Sequence, residues 1–224
     1  MTIKIPHALI LAAGFGSRLK HITNSTPKCL VKVNGKTMLE YTIERLKCVT
    51  ESIYINTHYL SEQVEKFVSL YPNNSNISIE HEHSLLGTGG SIKNVASKYN
   101  AKTLLVHNSD ALFQGDSFIK DFINSYQGQE VFVALYPKDR LTALENGDFA
   151  VDTANKTAVL KKGGDYVYTG LAIFQTKAFL NKKESCFASP TIIAQAKDVG
   201  FYVIPHNVKW LDIGTPEKLA IANK

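Results

Sequence analysis

The stretch His7–Lys28, which reads HALILAAGFGSRLKHITNSTPK, decides how the rest of the chain is interpreted. It contains a short apolar run, a glycine-rich turn that carries Arg18, and a Pro27-Lys28 pair. Residues 8–13 are too few for a buried helix and are closed by Gly14, so they predict a central parallel strand that runs into a loop. In α/β proteins, such a strand-to-glycine-loop junction is a common place for binding phosphates.

The composition of this loop suits an anion. Gly14 and Gly16 lack a Cβ atom, so the backbone there can adopt positive φ and turn successive N–H groups toward a ligand. Arg18 and Lys28 would add the positive charge that amide groups lack. The sequence therefore predicts a phosphate-binding loop whose charge comes from two side chains.

Two familiar glycine motifs fail here on residue identity. A dinucleotide fingerprint needs a third glycine where the chain has Leu19, and a Walker A loop would need glycine at Leu30. What remains is LAAGFGSRL at 11–19, followed by TPKCLVKVNGKTMLEY at 26–41. This pattern resembles the signature of the sugar-phosphate nucleotidylyltransferases, also called NDP-sugar pyrophosphorylases.

The composition fits a globular chain of this kind. Its 224 residues are 44% hydrophobic and 20% charged, which excludes disordered and membrane-embedded classes. We expect one domain over 1–224, with a nucleotide-binding part at 1–125 and a sugar-phosphate-binding part at 126–224. Small anionic substrates explain the formal charge of +5 as well as nucleic acid would, and a solvated basic surface explains it too. Neither a nucleic-acid partner nor a membrane is expected, and the oligomeric state stays open.

The cysteines indicate a reducing compartment. Cys29, Cys48 and Cys186 are widely separated and odd in number, so reduced thiols and a cytoplasmic location are expected. The first residues imitate a signal peptide, but their apolar part is only about seven residues long and runs into the predicted loop. No apolar run approaches the ~20 residues that cross a bilayer.

Strands and helices alternate through the first half of the chain. Thr37, with Glu40 three residues later, shows the capping-box pattern for a first helix, and Ser61 is predicted to cap a second. Predicted strands lie at 52–56, 77–80 and 103–107, and the loop 84–91 is predicted to precede a third helix. This alternation predicts an α/β fold with a Rossmann-like, doubly wound and mostly parallel sheet that binds ligands at its carboxyl edge.

The second half is expected to be β-rich. A helix near 116–126, a strand near 131–136 and an extended stretch at 149–174 predict a small antiparallel extension over the sheet. The resemblance implies the same architecture, that of the nucleotide-diphospho-sugar transferases.

The resemblance also implies a reaction. A sugar 1-phosphate oxygen attacks the α-phosphate of a nucleoside triphosphate, and pyrophosphate leaves. Because negative charge gathers on phosphoryl oxygens, catalysis needs positioning and cations. Arg18 offers a bidentate fork and Lys28 a point charge, so we expect these two to be the catalytic residues.

Two aspartates are the expected Mg²⁺ ligands. Asp110 lies just after the predicted strand at 103–107, and Asp212 lies in WLDIGTP. Both are hard oxygen ligands of the kind that Mg²⁺ takes while keeping waters and substrate phosphates. In the family, aspartates of a Gly-Asp pair and of an Asp-x-Gly-x-Pro-like segment hold the metal, and these positions match. Ser109 replaces the usual glycine, which departs from the family pattern.

The remaining site residues follow from the resemblance. Those expected to bind the nucleotide are Leu11, Ala12, Ala13, Gly14, Gly16, Ser17, Gly87, Thr88 and Gly89. The alternative for the last three is a plain helix-entry loop. Those expected to bind the sugar phosphate are Asn146, Gly147, Lys161, Thr169 and Gly170. The glutamate that the family has beside its lysine is absent here.

Several alternatives stay open. The pattern LLGTGG favours GTP over UTP and a guanylyltransferase for mannose or heptose phosphate that serves cell-surface polysaccharide synthesis. A uridylyltransferase for muramic acid 1-phosphate, a cytidylyltransferase for a non-sugar phosphate such as phosphocholine, and a non-catalytic nucleotide-sugar sensor are the rivals. His81-Glu82-His83 could bind zinc but shows no third ligand. Trp210 is expected to lie in the core.

Overall fold

The computed structural model describes residues 5–115, 117–141, 146–181 and 193–224. The strands in these ranges are β1 His7–Leu11, β2 Lys32–Val33, β3 Lys36–Thr37, β4 Ser52–Thr57, β5 Ile77–His81, β6 Thr103–Asn108, β7 Ala111–Gly115, β8 Val131–Pro137, β9 Gly147–Asp152, β10 Thr157–Gly164, β11 Tyr166–Gln175, β12 Val199–Val203 and β13 Val208–Asp212. The α-helices are α1 Met38–Lys47, α2 Ser61–Ser69, α3 Gly87–Tyr99, α4 Ile119–Ser125, α5 Lys177–Leu180 and α6 Pro216–Ala222, and a 3₁₀ segment covers Ser17–Asn24.

Nine of the described strands form one sheet in the order β5-β4-β1-β6-β11-β8-β12-β10-β9. Strands β5, β4, β1 and β6 are parallel, which confirms the α/β class and places the ends of β1, β4 and β6 at one edge. The antiparallel part continues the same sheet and does not lie over it, so that part of the prediction is wrong. The sequence cannot show this, because β11 joins the two halves by pairing with β6 on one side and β8 on the other.

Strand β1 is buried on both faces. Ala8, Leu9 and Ile10 are fully buried, and Leu9 packs into a different apolar cluster from Ala8 and Ile10. A strand covered on both sides needs apolar residues at consecutive positions, since neighbouring side chains point to opposite faces. This burial explains why residues 8–13 read as an uninterrupted apolar run.

Helix starts agree only in part with the sequence patterns. The capping box at α1 is confirmed: the Thr37 hydroxyl accepts a hydrogen bond from the Glu40 amide, and the Glu40 carboxylate accepts one from the Thr37 amide at 2.7 Å. Ser61 does not cap α2, because the cap position falls on Leu60, whose φ is +50°. The glycines at 87–90 form the first turn of α3 and not a loop before it.

Helix α4 is shorter than the predicted span of 116–126, and Asp116 lies outside the described residues. Cys29 and Cys48 are free thiols, as expected, and Cys186 also lies outside the described residues. Burial raises the pKa of the Cys29 thiol to about 12. Of the helices in the described part of the chain, none is both long and apolar enough to cross a membrane.

We expect Thr37→Ala to lower the free energy of unfolding by about 1 kcal/mol, because α1 loses its side-chain cap. Urea denaturation measures the change. Thr37→Ser is the matched control, since it loses the same methyl group but keeps the hydroxyl. If the two variants were equally stable, the cap would not contribute.

Candidate active site

A cavity of about 420 Å³ opens at the carboxyl edge of the parallel strands. Among the residues predicted to bind nucleotide or phosphate, those on its walls are Leu11, Ala12, Ala13, Gly14, Gly16, Ser17, Arg18, Lys28, Gly87, Thr88 and Asp110. Wall residues that the sequence analysis did not predict are Asn56, Glu82, Leu85, Ser91, Asn108 and Ser109. Residues from the ends of β1, β4 and β6 thus meet in one cavity, as the fold class predicts.

Gly16 is the glycine on which the loop geometry depends. Its φ is +68°, and a Cβ atom there would lie 2.9 Å from Cβ of Lys28. The Thr23 hydroxyl donates a 3.0 Å hydrogen bond to the Gly16 carbonyl, which fixes the turn. Gly14 differs from the prediction, since its φ is not positive and a Cβ there would meet no atom within 4 Å.

Asp110 and Asp212 are brought together by the pairing of β7 with β13. Asp212 lies opposite Ala111 in the register, and the Ile213 amide donates a 2.9 Å hydrogen bond to the Asp110 carbonyl. The two predicted metal ligands are therefore neighbours, although about a hundred residues separate them in the chain. No pattern in the sequence shows that β7 and β13 pair.

Each aspartate faces a cation. Lys28 forms a hydrogen-bonded ion pair with Oδ2 of Asp110. Lys218 Nζ lies 3.1 Å from Oδ2 of Asp212, whereas the nearest nitrogen of Arg18 lies 4.0 Å from it. Arg18 is largely exposed, so its pair with Asp212 is weak. Lys218 was not predicted as a site residue, and its position in the sequence gave no signal.

Glu82 lies at the centre of a buried polar network on the cavity wall. Its Oε1 accepts hydrogen bonds from Asn56 Nδ2 at 2.8 Å and from the Ser91 hydroxyl at 2.5 Å. Its Oε2 accepts one from the Leu86 amide at 3.1 Å. Asn56 Oδ1 in turn accepts a 2.7 Å hydrogen bond from the Ala12 amide. The network thus connects the segment before α3 to the backbone of Ala12, at the start of the predicted phosphate-binding loop.

Several predicted residues do not line the cavity. Gly89 is buried in the first turn of α3, behind the wall that Gly87 and Thr88 form. Asn146 and Lys161 are exposed at β9 and β10, and Gly147 packs against the backbone of Gly164.

Thr169 and Gly170 lie closer to the site. The Thr169 hydroxyl donates to the carbonyl of Ala134, and the Thr169 carbonyl accepts a 3.0 Å hydrogen bond from Nε1 of Trp210, which is buried as predicted. Gly170 adjoins Asn108 on the cavity wall, because a Cβ at Gly170 would lie 2.8 Å from the Asn108 side chain. The second half of the chain therefore approaches the cavity at Gly170.

Residues 7–224 match the family of nucleotidyl transferases. The chain belongs to this family. Bifunctional protein GlmU of Methanocaldococcus jannaschii is 26% identical over 228 residues, which cover 97% of this chain and 53% of that protein. N-acetylmuramate alpha-1-phosphate uridylyltransferase of Caulobacter vibrioides is 33% identical over 114 residues, or 47% of this chain and 46% of that protein. The chain thus spans about half the length of each of these two relatives.

The fold has a solved counterpart. The crystal structure of HddC from Yersinia pseudotuberculosis complexed with GMP-PN superposes with a TM-score of 0.79 at 24% identity and covers 97% of both chains. This likeness concerns the fold. The family match confirms the resemblance that rests on LAAGFGSRL and the Pro27-Lys28 pair.

Members of this nucleotidyl transferase family generally use a divalent metal, and the residues present here fit one. Asp110 and Asp212 supply hard oxygen donors at adjacent strand ends. The described residues contain no group of three or more His, Cys, Asp or Glu side chains that could hold a metal. Two carboxylates that leave other positions to water and substrate phosphates are a donor set that a hard divalent cation can take.

The zinc hypothesis for His81-Glu82-His83 gains no support. The His81 and His83 rings lie 5.2 Å apart and are exposed, whereas Glu82 is buried among Asn56 and Ser91. Alternation along the strand therefore separates the carboxylate from the imidazoles.

His107 braces the turn that carries Asn108 and Asp110. Its Nδ1 lies 2.7 Å from the Asn108 carbonyl, and because a carbonyl only accepts, Nδ1 carries the proton. Nε2 is buried without a hydrogen-bond partner among the described residues. Burial, with the nearby charge of Arg45, lowers the His107 pKa to about 3. The imidazole is therefore neutral in the folded protein.

This burial predicts a pH dependence of stability. Unfolded His107 binds a proton below about pH 6.5, whereas the folded form does not. The free energy of unfolding therefore decreases as the pH is lowered, by up to about 1.4 kcal/mol per pH unit from this residue. We expect His107→Gln to have a shallower loss than wild type in urea denaturation between about pH 7.5 and about pH 4.5. His206→Gln, at an exposed histidine, is the control. Equal slopes in wild type and His107→Gln would contradict the assignment.

Proposed function

We propose that this protein transfers the nucleotidyl group of a nucleoside triphosphate to a sugar 1-phosphate, with Mg²⁺ as the metal. An oxygen of the sugar phosphate bonds to the α-phosphorus, the bond from that phosphorus to the β-phosphate bridging oxygen breaks, and pyrophosphate leaves with the electron pair. One observation carries this proposal: the glycine loop, Arg18, Lys28 and Asp110 line a single cavity.

The groups on this wall suit phosphoryl transfer without a protein nucleophile. The turn around Gly16 brings backbone to the cavity, where missing side chains let phosphates approach. Arg18 is mostly exposed, so its guanidinium is available to phosphate oxygens that gain charge as the reaction proceeds. Lys28 is held close to Asp110, which fixes its ammonium beside the expected metal position. These cations stabilise charge that develops in the transition state.

Asp110 and Asp212 would hold the Mg²⁺ ion, which supplies Lewis-acid stabilisation of the phosphoryl oxygens when bound. Their carboxylates are positioned by the backbone pairing of β7 with β13, so the protein fixes the ligands before substrate arrives. The remaining positions fall to water and phosphate oxygens.

Glu82 supports a preference for GTP. An ionised carboxylate only accepts hydrogen bonds and has roughly four acceptor positions, of which Asn56, Ser91 and the Leu86 amide occupy three. The one position left can accept from guanine N1–H, which has the 2-amino donor on one side, whereas the N3–H of uracil stands between two carbonyl oxygens that a carboxylate repels. An acceptor-only group beside Gly87 and Thr88 therefore favours guanine. This argument replaces the one from the LLGTGG pattern, because Gly89 does not line the cavity.

The cellular setting is also a proposal. The free thiols of Cys29 and Cys48 suit a cytoplasmic enzyme. An NDP-sugar product would be an activated donor for cell-surface polysaccharide synthesis.

Pyrophosphate release from a matrix of nucleoside triphosphates against sugar 1-phosphates tests the proposal. We expect turnover with GTP and mannose or heptose 1-phosphate, and less with UTP, CTP or ATP. Preferred use of UTP with muramic acid 1-phosphate would overturn the guanine preference and leave the transfer reaction standing. Nucleotide binding without pyrophosphate release from any pair would identify a non-catalytic binder.

The role of Glu82 is tested with Glu82→Gln. The amide replaces an acceptor with a donor, so we expect the ratio of kcat/KM for GTP over UTP to fall by roughly tenfold, the value of one charge-assisted hydrogen bond. Ser91→Ala is the matched control, because it removes one contact to Glu82 and keeps the carboxylate. A ratio that changes equally in both variants would show that the packing of the wall, and not the carboxylate, selects the base.

The metal ligands are tested with Asp110→Asn and Asp212→Asn. Each change removes a charged ligand with little change in volume, so we expect metal-dependent turnover to fall by roughly a hundredfold or more while the thermal melt stays cooperative. Full activity of either variant at saturating Mg²⁺ would contradict the assignment of that residue as a metal ligand. Asp139→Asn, at an exposed aspartate outside the cavity lining, is the control for loss of a negative charge.

A further inference from the structure

Lys218 is the closer of the two cations that the structure places at Asp212. Its Nζ lies 3.1 Å from Oδ2 of Asp212, and the two side chains are only 26% and 25% exposed. Arg18 is 63% exposed and reaches the same oxygen only at 4.0 Å. Because burial reduces screening, the Lys218 pair is the stronger of the two.

The local structure of α6 does not explain a lysine here. Thr215 caps the helix and Pro216 is its first residue, so Lys218 is the third residue of the first turn. The helix dipole makes this turn favourable for anions and unfavourable for cations. The ion pair with Asp212 offsets this unfavourable position.

The pair has a consequence for the metal. A divalent ion that binds Asp212 must displace the ammonium of Lys218 or stay beside it, and both cost free energy. Lys28 has the same relation to Asp110, but Lys28 also lines the cavity and is expected to contact phosphate. Neither Lys218 nor Asp212 is among the residues that line the cavity, so a change at Lys218 is not expected to alter substrate contacts directly.

We propose that Lys218 is a positioning residue that orients the Asp212 carboxylate and weakens its hold on a free divalent ion. Metal then binds well only together with the phosphates of the nucleotide, which bring the missing negative charge. This inference rests on the proposed function for the role of Asp212, but metal binding to the nucleotide-free protein can be measured without any turnover.

The test is a titration of the nucleotide-free protein with Mn²⁺, in which electron paramagnetic resonance counts the free ion. We expect Lys218→Met to bind Mn²⁺ roughly tenfold more tightly than wild type, because one nearby positive charge is removed. Lys218→Gln, which keeps a hydrogen-bond donor for Asp212, carries the same expectation. Lys218→Arg keeps the charge and should resemble wild type.

Two controls separate this effect from others. Lys209→Met removes the same charge from an exposed position on β13 and should not change Mn²⁺ affinity. Adding Asp212→Asn to Lys218→Met should abolish the gain, which places the ion at Asp212. In metal-free buffer, Lys218→Met should also melt at a lower temperature than Lys209→Met, since Asp212 loses the closer of its two cations.

Unchanged or weaker Mn²⁺ binding in both neutral variants of Lys218 would overturn the inference, as would an equal gain in Lys209→Met. These outcomes are independent of the proposed function. If no substrate pair released pyrophosphate but Lys218→Met still bound Mn²⁺ more tightly through Asp212, the inference would stand and the enzymatic proposal would fall.

Discussion

The pairing of β7 with β13 holds two carboxylate residues, Asp110 and Asp212, next to each other. The rest of the site depends on this one constraint. The Ile213 amide bonds to the Asp110 carbonyl, so the main chain fixes the neighbourhood of Asp110 and Asp212 whatever their charge. Two negative charges on neighbouring strands repel each other, and nearby cations offset that repulsion. Lys28 and Lys218 supply those cations from the segment after the glycine loop and from α6. Two ion pairs thereby connect the paired strands β7 and β13 to the segment after the glycine loop and to α6.

A second constraint links the expected base wall to the phosphate loop. Glu82 holds the Leu86 amide and Asn56, and Asn56 holds the Ala12 amide. Glu82, Asn56 and Ala12 are nearly fully buried, so a hydrogen bond lost between them leaves a desolvated polar atom. A change at Glu82 therefore disturbs the base wall and the phosphate loop together. This linkage is the reason that Ser91→Ala, which disturbs the network but spares the carboxylate, is the informative comparison.

Much of the nucleotide half could be predicted from the sequence, because its signals are local. The apolar run at 8–13 marks a strand buried on both faces, and Thr37 with Glu40 marks a capped helix. The start of α3 was missed because glycine weakens helices in general, whereas here the first turn is supported from outside by Glu82, which holds the Leu86 amide. Lys218 was missed because its meaning depends on β7 and β13 pairing, which local patterns do not encode.

The antiparallel half was harder to place for a related reason, and its contact with the site is narrow. Strand β11 shifts register against β8 between Tyr168 and Ala172, and Gly170 within that shift has a φ of +82°. A side chain at Gly170 would strike Asn108, so only glycine lets β11 pass this close to the cavity wall. Trp210 fixes the adjacent carbonyl of Thr169 from β13, the strand that ends at Asp212. Trp210 therefore links the bulge to the strand that carries the expected metal ligand, which gives the second half of the chain a defined position beside the cavity.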